Sequence, residues 1–321
     1  MTWFRLGAAV AIVMASTYVL QGDHSAAARV ARTIPASKVA PAPIATWQVP
    51  VATKDYFIAR EAVIPTGATT IQLPILMYHY IRTPPSQVAD LLGYRLSVSP
   101  QSFQAQMSWL AMAGYHPVTL DDVRSYFAGK TPLPAKPVII TFDDGYADLY
   151  TNAYPILLSH GFKAVAYVVT NFVGQRGYLT KAEILEMDHN RIEIASHTVN
   201  HPNLARSSYG SVVYELVASK RWLEALLGHP VLDFAYPSGQ FNLQVIDALQ
   251  SAGYDTAVTV DFTTSHTWAG RYTWGRVRVG GGEAMPDFVA GLGVSMRPTL
   301  VTALSIPAVA ANGPPQAIHG L

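Results

Sequence analysis

The stretch PVIITFDDGY at residues 137–146 joins an uncharged apolar run to a pair of aspartates and a glycine. An apolar run of this length, rich in β-branched residues, predicts a strand buried on both faces. Similar runs separate segments of helical period along the chain. Such alternation of strands and helices predicts an α/β fold with a parallel sheet, closed or nearly closed into a barrel at this chain length. The other strands are expected at 75–81, 116–120, 164–170, 191–196, 232–236, 255–260 and 276–280.

Helices are expected between these strands, several of them ended by a glycine. Ser99 followed by Pro100 is typical of a helix start, and it predicts a helix that runs to about residue 113. The other helices are expected at 121–128, 147–160, 180–188, 208–227 and 242–252.

Composition excludes several functions. Charged residues are 13% of the 321 residues and the net charge is only +1, so no basic surface for nucleic acid is expected. The chain has no cysteine, which excludes disulfides, thiolate metal sites and a cysteine nucleophile.

The two ends of the chain differ from its middle. Arg5, the uncharged stretch 6–20 and the alanines at 26–28 predict an export signal or an uncleaved membrane anchor over residues 1–28. Residues 29–72 are Ala- and Pro-rich and are interpreted as a linker. One barrel domain is then expected at 73–297, followed by a disordered low-complexity tail at 298–321.

Polar residues follow several of the predicted strands, where parallel barrels carry their chemistry. Residues on separate strands are therefore expected to meet at one end of the barrel. They are Asp143 and Asp144 after 137–142, His197 after 191–196, Ser238 after 232–236, and His79 near the end of 75–81.

Three of these residues suit a divalent metal ion. His197 and His201 are four apart, which places both rings on one side of a turn, and Asp144 adds a carboxylate. Asp143 then remains free to take a proton from water. Zinc is the expected ion, although the same ligands accept cobalt, nickel or iron.

Each of these motifs also has a purely structural interpretation. A histidine pair at this spacing is weak evidence in a chain with ten histidines. Asp143 and Asp144 could cap a helix, as is expected of the pair Asp121 and Asp122. Two adjacent buried carboxylates repel each other unless a cation lies beside them, however, which favours the metal site.

His79 and the turn around Ser238 are more ambiguous. His79 lies among apolar residues, where a histidine is more often part of the core than a catalyst. The segment Tyr236-Pro237-Ser238-Gly239 predicts a turn, and a backbone N–H in such a turn can face a developing oxyanion. Arg276 and Arg278 are two residues apart on a strand and so share one of its faces. They could pair with an acid at the barrel end or simply lie at the edge of the sheet.

The segments TFDDGY, SHTVNH and AYPSG together resemble the first three motifs of the polysaccharide deacetylases, carbohydrate esterase family 4. This resemblance implies a distorted (β/α) barrel of about seven strands that removes acetyl groups from N-acetylated sugars or, less often, from O-acetylated xylan. By the same resemblance Asp143 is the general base, and the Ser238 N–H is the oxyanion donor. The metal ligands it implies are Asp144, His197 and His201.

Two departures from the family pattern stand out. Ala235 occupies the position of an arginine that orients the base, and Arg276 or Arg278 is a candidate replacement. The late motif with a catalytic histidine has no counterpart, because His319 lies in the terminal tail. The segment LMYH at 76–79 resembles a permuted branch that includes poly-N-acetylglucosamine deacetylases, and this similarity implies that His79 is the general acid.

The sequence therefore predicts an exported, metal-dependent enzyme that deacetylates an N-acetylglucosamine polymer outside the cell or in the wall. Its expected partner is the N-acetylated polysaccharide and not nucleic acid. The N-terminal segment is a candidate membrane tether, and a monomer is expected. The alternatives are an O-acetyl xylan esterase, a catalytically silent carbohydrate-binding wall module and, from the ligand set alone, a non-haem iron oxygenase.

Overall fold

The computed structural model describes residues 63–64 and 67–293. The predicted export segment at 1–28, most of the linker at 29–72 and the tail at 298–321 lie outside the described residues. Within the described part of the chain, no helix combines the length and the apolar character needed to span a bilayer.

Seven parallel strands form the central sheet, in the order β6-β5-β4-β3-β2-β1-β7. A bridge between Val258 and Trp274 links the two ends of this sheet, so it curls into a distorted barrel. The predicted fold is confirmed. The strands are β1 (Ile75–Tyr78), β2 (Pro137–Phe142), β3 (Ala164–Val168), β4 (Ile192–Ser196), β5 (Asp233–Ala235), β6 (Thr256–Val258) and β7 (Val277–Arg278).

Helices alternate with the strands, as the hydrophobic periodicity predicts. Ser99 caps α2 as expected, since its side chain accepts from the Ser102 amide. Two short helices, α1 and α8, were not predicted because neither carries a clear apolar period. The helices are α1 (Leu91–Leu96), α2 (Pro100–Met112), α3 (Leu120–Phe127), α4 (Tyr154–His160), α5 (Lys181–His189), α6 (Tyr209–Leu227), α7 (Leu243–Ser251) and α8 (Met285–Gly291).

Two predicted elements are interrupted beside the aspartate pair. The helix expected at 147–160 begins as the π-helical turn Leu149–Ala153, a distortion that is frequent at functional sites. The strand expected at 75–81 ends at Tyr78, and Tyr80–Ile81 instead pairs with Ser97–Val98. His79 thus lies in a break between two strands rather than inside one.

The two ends of the barrel are built differently. The mouth, formed by the carboxyl ends of the strands, carries the polar residues of interest. The floor, formed by their amino ends, is closed by α3 and by the antiparallel pair Thr70–Gln72 and Ser265–Thr267. Leu120, Val123 and Tyr126 of α3 are fully buried there. Burial of this apolar surface stabilises the barrel from below and leaves the mouth free for chemistry.

Two minor strand pairs border the barrel. His116–Pro117 extends the sheet beside β2, and Val63–Ile64 pairs with Leu133–Pro134. The described part of the predicted linker therefore includes two strands, Val63–Ile64 and Thr70–Gln72.

Candidate active site

Three side chains converge at the mouth of the barrel. The Asp144 Oδ1 atom lies 3.4 Å from His197 Nε2 and 3.4 Å from His201 Nε2, and no two of the potential ligand atoms are more than 4.8 Å apart. Around an ion held at about 2.1 Å, tetrahedral ligands stand about 3.4 Å from one another. The spacing of these three atoms therefore fits a single divalent cation.

A hydrogen bond to the backbone orients one of the two rings. His197 Nδ1 lies 2.7 Å from the carbonyl oxygen of Ala235, so this nitrogen donates and Nε2 is left as the acceptor when the ring is neutral. Burial lowers the pKa of His197, but hydrogen bonding to Asp144 and the charges of Asp143 and Asp144 outweigh it and raise the pKa overall. Three convergent acceptors need a cation or a proton between them, and a divalent cation would satisfy all three.

The backbone that presents these ligands is unusual. Asp144 and His201 have positive φ angles of 72° and 58°, as do Thr198 at 72° and Ser238 at 53°. Residues other than glycine rarely adopt this left-handed region. Such strain tends to be found at functional sites, where the surrounding structure holds it in place.

A buried acid from a neighbouring helix holds the histidine segment. Glu215 on α6 is 6% exposed, and it accepts hydrogen bonds from the amides of Val199 and Asn200 at 2.8 and 2.9 Å. Glu215 was not among the residues predicted from the sequence. The available signal was an acid on the inward stripe of α6, between Val212 and Leu216.

Asp143 does not join the cluster of potential metal ligands and is paired with an arginine. Both of its carboxylate oxygens lie 2.7 Å from the guanidinium of Arg276. Arg276 is itself fixed by the Thr259 carbonyl at 2.8 Å and the Thr141 hydroxyl at 3.1 Å. Burial raises the pKa of Asp143, but the charge and hydrogen bonds of Arg276 outweigh it and hold the pKa far below its usual range.

This pair identifies which arginine contacts the acid. Arg276 and Arg278 were equally eligible from the sequence, and the structure places Arg276 on Asp143. Ala235, at the position of the family's arginine, is fully buried. Arg276, which directly precedes β7, therefore holds the carboxylate of Asp143.

His79 also lies close to Asp143. Its Nε2 atom is 3.9 Å from Asp143 Oδ2, too long for a hydrogen bond but close enough for a charge interaction. Burial lowers the pKa of His79, and the negative charges of Asp143 and Asp144 oppose this only in part. The imidazolium form is therefore a stronger proton donor than an exposed one.

Ser238 follows β5 in the turn Pro237–Gly239 and is exposed. Gly239 is required in this turn, because a Cβ atom there would lie 2.5 Å from Val260 Cγ2. The structure thus brings together five of the predicted residues, and Ser238 stands at the same mouth without a hydrogen bond to them among the described residues. The five are His79, Asp143, Asp144, His197 and His201.

The chain is similar in sequence to proteins named as polysaccharide deacetylases. The family profile described as polysaccharide deacetylase matches residues 130–257. YxkH of Bacillus subtilis (strain 168), whose name places it among polysaccharide deacetylases, is 32% identical over 68% of this chain and 75% of its own. The poly-beta-1,6-N-acetyl-D-glucosamine N-deacetylase of Escherichia coli (strain K12) is 29% identical over 52% of this chain, but the match spans only 31% of that protein.

A solved structure extends the similarity across the barrel. The Streptococcus pyogenes deacetylase PplD, in complex with acetate, has a TM-score of 0.65 and 28% identity, covering 70% of this chain and 99% of PplD. The similarity spans most of the length of both YxkH and PplD. The chain belongs to the polysaccharide deacetylase family.

Proposed function

We propose that this protein is a metal-dependent deacetylase that hydrolyses the N-acetyl groups of an N-acetylglucosamine polymer outside the cell. The observation that carries this proposal is the position of the Asp143–Arg276 pair beside the cluster of Asp144, His197 and His201. One acid is held away from the ligand atoms by its own arginine. It is therefore available as a base next to a cation site.

The role assigned to the cluster is to hold the cation. Asp144, His197 and His201 would bind it, and when bound it would polarise the acetyl carbonyl and lower the pKa of a water molecule. Asp144 contributes one negative charge, while the two imidazoles contribute none, so a bound dication keeps a net positive charge that can act on the carbonyl.

Asp143 is assigned as the general base. Its lowered pKa keeps the carboxylate ionised at neutral pH, and Arg276 fixes the orientation of both oxygens. The carboxylate accepts a proton from the attacking water as the carbon–oxygen bond forms. Orientation by a bidentate guanidinium limits the rearrangement needed at that step.

His79 is assigned as the general acid and Ser238 as the oxyanion donor. Protonated His79 gives its proton to the departing amine as the carbon–nitrogen bond breaks, so that acetate and a free amine result. The exposed turn at Ser238 follows β5 at the mouth, and its backbone N–H is suited to receive a developing negative charge.

The substrate assignment draws on the relatives. The Escherichia coli relative is named for poly-beta-1,6-N-acetyl-D-glucosamine, and PplD is described in complex with acetate, the expected product. The uncharged stretch at 6–20 after Arg5 supports export. Together these features favour an extracellular or wall polymer.

The O-acetyl xylan esterase remains the second candidate, because the same base and cation serve an ester. The catalytically silent wall module was suggested by the missing motif arginine. It is less favoured because Arg276 contacts the proposed base, Asp143. Membership in the deacetylase family and the parallel barrel set the non-haem oxygenase aside.

The test is acetate release from three substrates by the full chain: N-acetylglucosamine pentamer, poly-N-acetylglucosamine and acetylated xylan. We expect acetate from the glucosamine substrates, loss of release with a chelator, and recovery on addition of zinc or cobalt. Release from xylan alone would favour the esterase. No release from any substrate with metal present would reject the proposal.

A further inference from the structure

A cavity opens at the mouth, where β7 ends. It has a volume of about 710 Å³ and is lined by α1, the end of β7 and the turn that follows. Ligand pockets commonly have this size. Its charged lining residues are Arg95, Arg278 and Glu283.

Arg278 reaches this cavity from the same strand face as the catalytic arginine. Arg276 and Arg278 are two residues apart, so their side chains project to one side of the chain, and Arg278 stands about 6.6 Å nearer the mouth. Arg278 pairs in register with Met77 of β1, two residues before His79. Its guanidinium is close enough to His79 and Asp143 for the charges of Arg278 and Asp143 to shift pKa values: Arg278 lowers that of His79, and Asp143 raises that of Arg278.

Within residues 67–293, the guanidinium of Arg278 has no hydrogen bond and no ion pair. The same holds for the guanidinium of Arg95 across the cavity. Partial burial and the nearby Arg276 lower the pKa of Arg278, against a weaker opposing effect of Asp143. A positive group in such surroundings is stabilised by any anion that enters.

The acid in the lining does not compensate these two charges. Glu283 accepts a hydrogen bond from the Gly280 amide at 3.2 Å, which ties its carboxylate to the turn. Burial raises the pKa of Glu283, and the Gly280 hydrogen bond opposes this only in part. The lining therefore carries two unpaired guanidiniums and one carboxylate already engaged.

The walls of the cavity are held rigidly together. A Cβ atom at Gly280 would approach the Arg95 carbonyl oxygen to 2.4 Å, and one at Gly281 would approach the Tyr94 carbonyl oxygen to 2.0 Å. The turn after β7 therefore packs directly on the backbone of α1. Close backbone packing presets the separation of Arg95 and Arg278, which lowers the cost of ordering them around a ligand.

We propose that Arg278 and Arg95 form a subsite for an anionic group, carboxylate or phosphate, carried by the polysaccharide next to the acetylated sugar. The planar guanidinium matches both groups through paired hydrogen bonds. This inference rests on the proposed deacetylase function and names its substrate class more closely: an N-acetylated polysaccharide with acidic substituents.

The test compares kcat/KM for substrates of matched length with the full chain. The neutral substrate is N-acetylglucosamine pentamer. The anionic ones are peptide-free peptidoglycan strands, which carry lactyl carboxylates, and an N-acetylglucosamine oligomer bearing phosphate groups. We expect a preference of about tenfold or more for at least one anionic substrate, weakened by salt. Comparison of the two anionic substrates distinguishes carboxylate from phosphate.

Variants locate the preference. Arg278→Met is expected to lower the ratio of anionic to neutral kcat/KM about tenfold, mainly through KM, and Arg278→Lys to retain part of it because the charge remains. Arg221→Met removes an exposed arginine of α6 and should leave the ratio unchanged. Should Arg278→Met not fold, Arg95→Met carries the test, with a smaller fall in the same ratio.

The outcomes are separable. A wild-type ratio near one, or an equal loss on both substrate classes in Arg278→Met, overturns the anionic subsite while the deacetylase assignment stands. An unchanged ratio in Arg95→Met, where that variant carries the test, overturns it as well. Absence of acetate from every substrate rejects the proposed function and this inference together.

Discussion

Two arginine–carboxylate clusters lie at opposite ends of the same barrel. At the floor, Arg124 of α3 binds both oxygens of Asp233 at 2.5 Å and Glu193 at 3.1 Å. At the mouth, Arg276 binds both oxygens of Asp143 at 2.7 Å. Both arginines are largely buried, so the interactions alone do not distinguish a structural cluster from a catalytic one.

The difference lies in what surrounds each cluster. Floor acceptors are satisfied by the protein itself, since Glu193 also accepts from the Leu120 amide at 2.7 Å and Asp233 from the Thr256 hydroxyl at 2.6 Å. Burial and the adjacent Asp233 raise the pKa of Glu193. At the mouth, by contrast, the ligand atoms of Asp144, His197 and His201 converge next to the Asp143–Arg276 pair, and the Arg278 guanidinium has no ion pair within residues 67–293. A cluster whose acceptors are all satisfied by the protein stabilises the fold, whereas acceptors without protein donors are available to bind a cation or substrate.

The largest expected effect is on kcat, and it distinguishes the mouth pair Asp143 and Asp144 from the floor pair Asp121 and Asp122. Asp143→Asn should lower kcat about 10²- to 10⁴-fold because the general base is lost, while metal content stays at the wild-type level. The matched control is Asp121→Asn at the floor, whose carboxylate is exposed and should leave kcat unchanged. Acetate release and elemental analysis of each purified variant check this. Full activity in Asp143→Asn would refute its assignment as base.

The next effect compares the two arginines. Arg124→Met and Arg276→Met each leave a buried carboxylate unpaired, so each should lower the free energy of unfolding by about 3 kcal/mol or more. Only Arg276→Met should also lower kcat, about 10- to 100-fold, because the base loses its orientation. Chemical denaturation and kinetics, measured where both variants are folded, test this. A comparable loss of kcat in folded Arg124→Met would erase the distinction.

The third effect, on stability alone, concerns a floor histidine. His266 is 2% exposed, and its Nε2 has no partner among the described residues; burial lowers the pKa of this ring to about 4. The unfolded chain therefore takes up a proton near pH 6.5 that the folded protein refuses. Stability should fall by about 3 kcal/mol as pH drops from 6.5 to 4.

His266→Leu should remove that part of the pH dependence, and the exposed His189→Leu should not. Denaturation midpoints from pH 4 to pH 7 provide the measurement. If the slope persists in His266→Leu, the histidine is not its source.

The sequence predicted the mouth more fully than the floor. Strand β2 was predicted from residues 137–142 alone, because a short apolar run rich in β-branched residues is typical of a buried strand. The site residues followed, since they stand where strands end. The choice between Arg276 and Arg278 did not follow, because it depends on the register of β7 against β1, which periodicity does not determine.

The floor depends on long-range contacts without a local pattern. Arg124 meets Asp233 across 109 residues, and the strands Thr70–Gln72 and Ser265–Thr267 are three residues long. Short strands carry too few positions for an alternating pattern. For the same reason the sequence interpreted residues 29–72 as linker, although Thr70–Gln72 pairs beneath the barrel.

The most direct test of the metal site is anomalous X-ray scattering from crystals of the full chain grown with zinc, recorded at the zinc edge. We predict one peak at the mouth, about 2.0 to 2.2 Å from Asp144 Oδ1, His197 Nε2 and His201 Nε2, with Asp143 still on Arg276. A peak elsewhere, or none at this cluster in zinc-loaded active protein, would contradict the assignment.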